Sequence, residues 1–426
     1  MARSHDMTSG SIWRSLLGFS IPIMISNLVQ STYNAVDMLF VGRFTGTESL
    51  AAVSVCGPIM NVMIITLSGM SAGVLVVISG LLGAGDIKQA QDAAHTSVAL
   101  YALMAAVMTV LGLLFVPQIL RLVQTPAAAM PEAKRYLYTV FAGTVFTFGY
   151  NLIGALQRGL GNAAASMSFV IISSAANIAL DAVFIVWLGM GAFGAALGTV
   201  LSQVAAFVIG TVQFARGGAA LRLSARAVRF HKKHLKNILL FGVPTALNEV
   251  MVNLAMLTVS GVANSFGLAS SAAYGVGSRI DSLAIFTDGA MNQTMSAYAS
   301  QNIGAGRQKR ALEGLWKAII LSAGAALGTS LLVLGFASEF SACFDSDPAV
   351  IEQSAAFLRV TVWSYPLFAT VGPLIGFIRG TGNVEASLLV GVVAQLCCRV
   401  PASFLFSRWM GFPGVGVAVL VGPLVS

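Results

Sequence analysis

Apolar runs long enough to cross a lipid bilayer follow one another along nearly the whole of this chain. A helix rises about 1.5 Å per residue, so a hydrocarbon core of about 30 Å takes roughly 20 apolar residues. Such runs lie at 16–40, 50–82, 93–116, 136–157, 165–188 and 192–215, and again at 238–260, 269–300, 316–337, 356–378 and 384–406. An apolar tail from 411 is short for a span, so the twelfth helix is expected to be incomplete. Composition agrees: 57% of the 426 residues are hydrophobic and 9% are charged, where soluble domains carry about 25% charged residues. The opening MARSHDMTSGSIWRS is polar and the run behind it exceeds a signal-peptide core, so the first span is expected to be retained. These features predict an all-α integral membrane protein.

Loop charge sets the expected orientation, because Lys and Arg resist translocation. Seven of them fall between Arg216 and Lys236 with no acid among them, whereas the loop at 338–355 carries Glu339, Asp345, Asp347 and Glu352. A cytoplasmic N-terminus in the cell membrane follows. The net charge of +8 does not call for nucleic acid, since topology alone explains a basic segment between two spans; contact with lipid headgroups there stays open. Cys56, Cys343, Cys397 and Cys398 have no metal or redox spacing and read as packing residues.

The chain is one unit written twice. LLGAGDIKQA at 81–90 answers NIGAGRQKRA at 302–311, and RGLGN at 158–162 answers RGTGN at 379–383, both at a separation of about 221 residues; Pro22 and Pro244 recur near the start of each half. Six spans per unit is even, so both units enter the membrane from the same side, as parallel repeats of secondary transporters do. The expected organisation is an N-terminal six-helix lobe over 1–215, a basic linker over 216–236 and a C-terminal lobe over 237–426. Positions the halves share are scaffold; unshared polar positions are candidates for chemistry. Arg158 and Arg379, at the repeated RGxGN turns, read as helix ends meeting headgroups. The GAG turns lack a following Walker A lysine and read as structural.

The candidates stand out against oil. In the first span, Gln30, Tyr33, Asn34 and Asp37 fall at i, i+3, i+4 and i+7, on one helical face. The fifth span offers Ser174, Asn177 and Asp181, and the sixth offers Thr199 and Gln203. An ionised Asp at mid-membrane costs about 2.5 to 3.5 kcal/mol, so two in one bundle ask for a proton or a bound cation such as Na⁺, unless they line a water-filled vestibule. Glu249 is the deepest acid of the second half and a candidate for substrate or a second proton. Asp281 and Asp288, seven apart on one face, are expected to see solvent, with Arg279 within reach of Asp281.

The runs NLVQSTYNAVDMLFVGRFTG, NIALD, GAFGAALGTVLSQ, SRIDSLAIF and SQNIGAG, in this order, resemble the multidrug and toxic compound extrusion (MATE) family. The resemblance implies two six-helix lobes and export of small amphipathic, often cationic compounds driven by inward Na⁺ or H⁺, with no other cofactor. It assigns cation coupling to Asp37, Asn177, Asp181 and Thr199, lobe-lining roles to Gln30, Tyr33 and Asn151, and a hinge in the first helix to Pro22. The tenth span, FATVGPLIGFI, lacks the acid that some branches carry there. The alternative within the wider superfamily is a flippase for lipid-linked or polysaccharide precursors; the loop placement of most Arg and Lys argues against it. No HExxH, no GxSxG and no cluster of His with acids supports an enzyme. A membrane scaffold without transport is the remaining rival. The chain is expected to act as a monomer.

Overall fold

The structure, a computed structural model, describes residues 6–216, 221–284 and 286–426. Among the described residues it is helical throughout: α1 (Ile12–Phe44), α2 (Thr47–Gly83), α3 (Ile87–Leu122), α4 (Met130–Gly159), α5 (Ala163–Asp181), α6 (Gly191–Arg216), α7 (Lys232–Asn264), α8 (Leu268–Ala284), α9 (Phe286–Gly304), α10 (Gln308–Ala342), α11 (Pro348–Thr361), α12 (Tyr365–Gly380), α13 (Val384–Val392), α14 (Val400–Met410) and α15 (Phe412–Val425). Several pieces continue one another. A π-helical segment, Ala182–Trp187, extends α5, and another, Val393–Arg399, joins α13 to α14; a 3₁₀ turn, Val362–Ser364, joins α11 to α12. Ten helices among the described residues are long and apolar enough to cross a membrane. The run read as the eighth span is carried by α8 and α9, which lie on either side of residue 285, outside the described residues.

Helix ends run past the apolar cores because polar residues cap them. Asp86 accepts a hydrogen bond from the Gln89 N–H at 3.0 Å and so starts α3; the same bond holds its carboxyl below the usual carboxylate range. Asn162 caps α5 and Asn383 caps α13, each accepting from the amide three residues on. These are the RGxGN turns, whose second glycines, Gly161 and Gly382, have φ of 79° and 98°, where a side chain would be strained. Gly85 and Gly306 do the same for the GAG turns. The duplicated motifs are therefore turn chemistry, as the repeat comparison implied. Lys232–Lys236, expected in the linker, form the first turn of α7 instead, and residues 217–220 of that linker lie outside the described residues.

The chain divides into two compact units, and the division falls inside helices rather than at the linker: Ile21–Gly242 belong to the first, Met7–Ser20 and Val243–Ser426 to the second. In the first unit α4 packs against α2, α3 and α6 around Val74, Tyr101, Phe148, Leu152 and Phe169. Small residues let these helices approach: Gly112 lies under the Phe141 ring and Gly143 against Val200. The start of α7 joins this unit, with Gly73 of α2 against the backbone of Ile238. In the second unit α9 packs on α12 and α8 on α11, around Tyr274, Phe357, Tyr365 and Phe412. The N-terminal segment is fixed here: the Met7 N–H donates to Gln301 Oε1 at 2.8 Å, Asn302 Nδ2 donates to the Met7 carbonyl at 3.2 Å, and Arg310 Nη2 donates to the Ser9 carbonyl at 2.8 Å.

Candidate functional site

In the first unit the structure brings together α1, α5 and α6. Asn177 and Asp181 lie one turn apart on α5 and are 1% and 0% exposed. Asp181 ends the α-helical part, and the wider π turn begins at the next residue; π turns occur frequently at functional sites. Asp37 of α1 is partly buried, and its carboxyl stands within hydrogen-bonding reach of the Asp181 carboxyl. Oriented with its nitrogen toward Asp181, as its neighbours require, the Asn177 amide donates to Asp181 Oδ2 at 3.2 Å and accepts from the Thr199 N–H at 3.3 Å. One oxygen of each acid, Asp37 Oδ1 and Asp181 Oδ1, is buried with no hydrogen-bond donor among the described residues.

Two facing carboxylates, each with one oxygen that no donor meets, repel each other, and burial strengthens the repulsion. A proton shared between them, or a cation held by both, removes the cost. Carboxylate and amide oxygens are hard donors suited to an alkali cation and equally able to hold a proton. Both options fit the two orphaned oxygens.

Other predicted residues take different places. Gln30 lies beside the Tyr33 hydroxyl, and Tyr33 is within electrostatic reach of Asp37 and Asp181. Asn34, on the same predicted face, is exposed. Thr199 meets Asn177 through its backbone N–H. Gln203 and Asn151 turn to α4 rather than to the acids: the Thr147 hydroxyl donates to Gln203 Oε1, and Asn151 Nδ2 donates to the Thr147 carbonyl at 2.8 Å. Pro22 lies inside α1, and the Ser26 hydroxyl bonds its carbonyl at 2.8 Å.

Two site residues escaped the sequence argument. Tyr136 of α4 is within electrostatic reach of Asp37 and Asp181. Gly198 of α6 packs so closely on Asp181 that a methyl group there would collide with Oδ1. The only signal for Gly198 was its place next to Thr199.

The second unit corrects several expectations. Asp281 does not see solvent or pair with Arg279. It is 8% exposed and accepts hydrogen bonds from Thr361 Oγ1 at 2.9 Å and from the Tyr365 hydroxyl at 2.5 Å. Asp288 is partly buried, with Gly372 of α12 so close that any side chain there would collide with it. Arg379 is 7% exposed, so headgroups do not reach it; its Nη1 donates to Asn292 Oδ1 at 3.1 Å, and Glu249 lies within electrostatic reach. Arg399, also buried, was not singled out at all. Hydropathy reports what a span contains on average, and a single guanidinium shielded by its own unit is invisible to it. The argument against a lipid-linked substrate from loop-bound Arg and Lys therefore does not hold for Arg379 and Arg399.

A sequence profile of the MatE family matches the chain twice, at residues 22–183 and 244–405, which repeats the internal duplication at the spacing of Pro22 and Pro244. The probable multidrug resistance protein YpnP of Bacillus subtilis is 27% identical and aligns over 100% of this chain and 95% of its own length. The multidrug export protein MepA of Staphylococcus aureus MRSA252 is 24% identical, over 96% of this chain and 90% of its own. Among solved structures, the outward-facing conformation of a multidrug resistance MATE family transporter superposes with a TM-score of 0.94 at 24% identity, covering 100% of this chain and 95% of that one. A transporter of the MOP superfamily from Pyrococcus furiosus superposes at 0.93 with 24% identity, over 100% of this chain and 95% of that one. At that identity the structural likeness concerns the fold: an all-helical membrane protein of the twelve-helix kind.

Proposed function

The chain belongs to the MatE family of membrane transporters, and from that premise we propose that it is a secondary active multidrug exporter whose coupling cation binds between Asp37 and Asp181. The carrying observation is the pair of buried carboxylate oxygens, Asp37 Oδ1 and Asp181 Oδ1, that no donor satisfies. The similarity to YpnP, a probable multidrug resistance protein, and to MepA, a multidrug export protein, supports small drug-like substrates.

The coupling follows from charge. With a cation or proton bound, α1 and α5 are drawn together through Asp37 and Asp181, and Asn177 holds the second oxygen of Asp181. With the site vacated, the two acids repel and the arrangement that separates them is favoured. A ligand shifts such an equilibrium only by its differential affinity for the two states, and the coupling is reciprocal. Drug release and cation uptake are thereby linked if each ligand prefers a different state. Na⁺ and H⁺ both suit this donor set. The site is complete within one chain, in keeping with a monomer in the cell membrane with its N-terminus in the cytoplasm.

The test is export of a fluorescent cationic dye from proteoliposomes under an imposed Na⁺ gradient and, separately, an imposed pH gradient. Export under one gradient names the coupling ion. Asp37→Asn and Asp181→Asn are each expected to reduce export to background while leaving insertion and unfolding temperature unchanged or improved, because each removes a buried repulsion. Full export by both variants would sink the cation site. A folded wild-type chain inert to dyes under both gradients, yet moving a lipid-linked precursor, would replace the multidrug reading.

A further inference from the structure

The second unit contains a buried polar cluster that the coupling site does not use. Asp281 of α8 is held by Thr361, at the end of α11, and by Tyr365, at the start of α12; both are fully enclosed. Arg399 is 8% exposed and ends the π segment Val393–Arg399. Its Nη1 donates to Gln395 Oε1 at 3.1 Å, and its buried Nε has no partner among the described residues. Asp281 and Arg399 are within electrostatic reach of one another, and Tyr274 of α8 is near both. The charged and titratable groups facing Asp281 are thus Arg399, Tyr365 and Tyr274.

The duplication shows that this cluster is not scaffold. Shifted back by about 221 residues, Asp281, Thr361, Tyr365, Gln395 and Arg399 fall on Met60, Val140, Thr144, Ser174 and Ile178. Shifted forward, Asp37, Asn177 and Asp181 fall on Thr258, Cys398 and Ala402. Each unit has nonetheless placed its buried charge beside a π turn in its fifth span, at Asp181 and at Arg399. Beside its π turn the first unit has two acids, whereas the second has an acid and a guanidinium, which stays charged at any pH a protein meets.

We propose that Arg399 is a built-in cation of the second unit, the permanent counter-ion of Asp281, so that each transport cycle takes up its mobile cation in the first unit alone. The inference rests on the first-unit site proposed above. Two hydroxyls and a guanidinium offset the cost of burying the Asp281 carboxylate, and a buried charge stripped of its partner needs a replacement. Removing Arg399 should therefore create a second mobile-cation site at Asp281.

The experiment compares the full chain with Arg399→Gln, Asp281→Asn and the double variant. The readouts are the unfolding midpoint across Na⁺ concentration and pH, and dye export in proteoliposomes. Arg399→Gln is expected to gain, beyond the cation dependence of the wild type, a further stabilisation of several degrees by Na⁺ or by lowered pH. The double variant should lose that gain and export with the wild-type cation dependence. Should Arg399→Gln not fold, a double variant that folds and exports normally supports the pairing, because only relief of the stranded acid explains the rescue. No new cation dependence in folded Arg399→Gln, a double variant that fails to fold, or a folded double variant with lost or altered export overturns the proposal. Repeating the series on Asp181→Asn separates the two claims. A gain that persists there, in a chain whose wild-type form shows no cation dependence, would defeat the first-unit site and leave the Asp281–Arg399 pairing standing.

Discussion

At the scale of the residue, what the sequence discloses is a face, not a partner. Asn177 and Asp181 were legible because four residues return a helix to the same side, and they do hydrogen-bond each other. Thr199 and Gln203 share that spacing, yet Gln203 is taken by Thr147 of α4. The meeting of Asp37 with Asp181, and the burial of Asp281, depend on how helices distant in sequence pack. Gly198 is the sharpest case, since a missing side chain gives no chemical hint of its role. Gly198→Ala would press a methyl group on Asp181 Oδ1, and such overpacking costs about 1–3 kcal/mol. The strain falls on the oxygen assigned to the cation. The half-saturating Na⁺ or proton concentration for export is therefore expected to change by roughly ten- to a hundredfold, with the maximal rate less affected. Unchanged cation dependence would show that Asp181 Oδ1 is not a ligand.

At the scale of the element, proline and glycine carried most of the readable information. The GAG and RGxGN turns, seen first as a repeated spelling, have their glycines at positive φ in both halves. The π segments had no such signal, because a π turn changes the hydrogen-bond pattern and not the composition. Pro22 and Pro244 had a clearer one. Each lies inside a long helix, and the boundary between the two compact units falls just before each, after Ser20 and after Gly242. Proline leaves the carbonyl four residues back, of Gly18 and of Leu240, without its helical donor, so both helices are weakest where their two ends join different units. Pro22→Ala restores that bond and stiffens α1. An unfolding midpoint equal to or above that of the wild type, with dye export slowed several-fold, is the expected pair of results. Normal export by a variant with a raised midpoint would mean that α1 does not need to bend.

At the scale of the molecule, orientation decides which mouth of the transporter faces the cytoplasm, where drug is taken up. Since each unit has an even number of spans, one fact orients both: the side on which the basic linker lies. Arg222, Arg226, Arg229, Lys232 and Lys233 are all exposed there, on a segment held to α3 by the bonds of the Arg222 N–H to Gln91 and of Lys233 to Gln89. The turn between α10 and α11 carries Asp345 and Asp347 instead, next to the exposed Cys343. Cys343 is a natural reporter once Cys56, Cys397 and Cys398 are replaced by Ser. In intact cells a membrane-impermeant maleimide is expected to label it. A cysteine placed at Ser224 in a chain without Cys343 should react only after the cells are opened. The reverse pattern would put the linker outside, against the resistance of its basic residues to translocation.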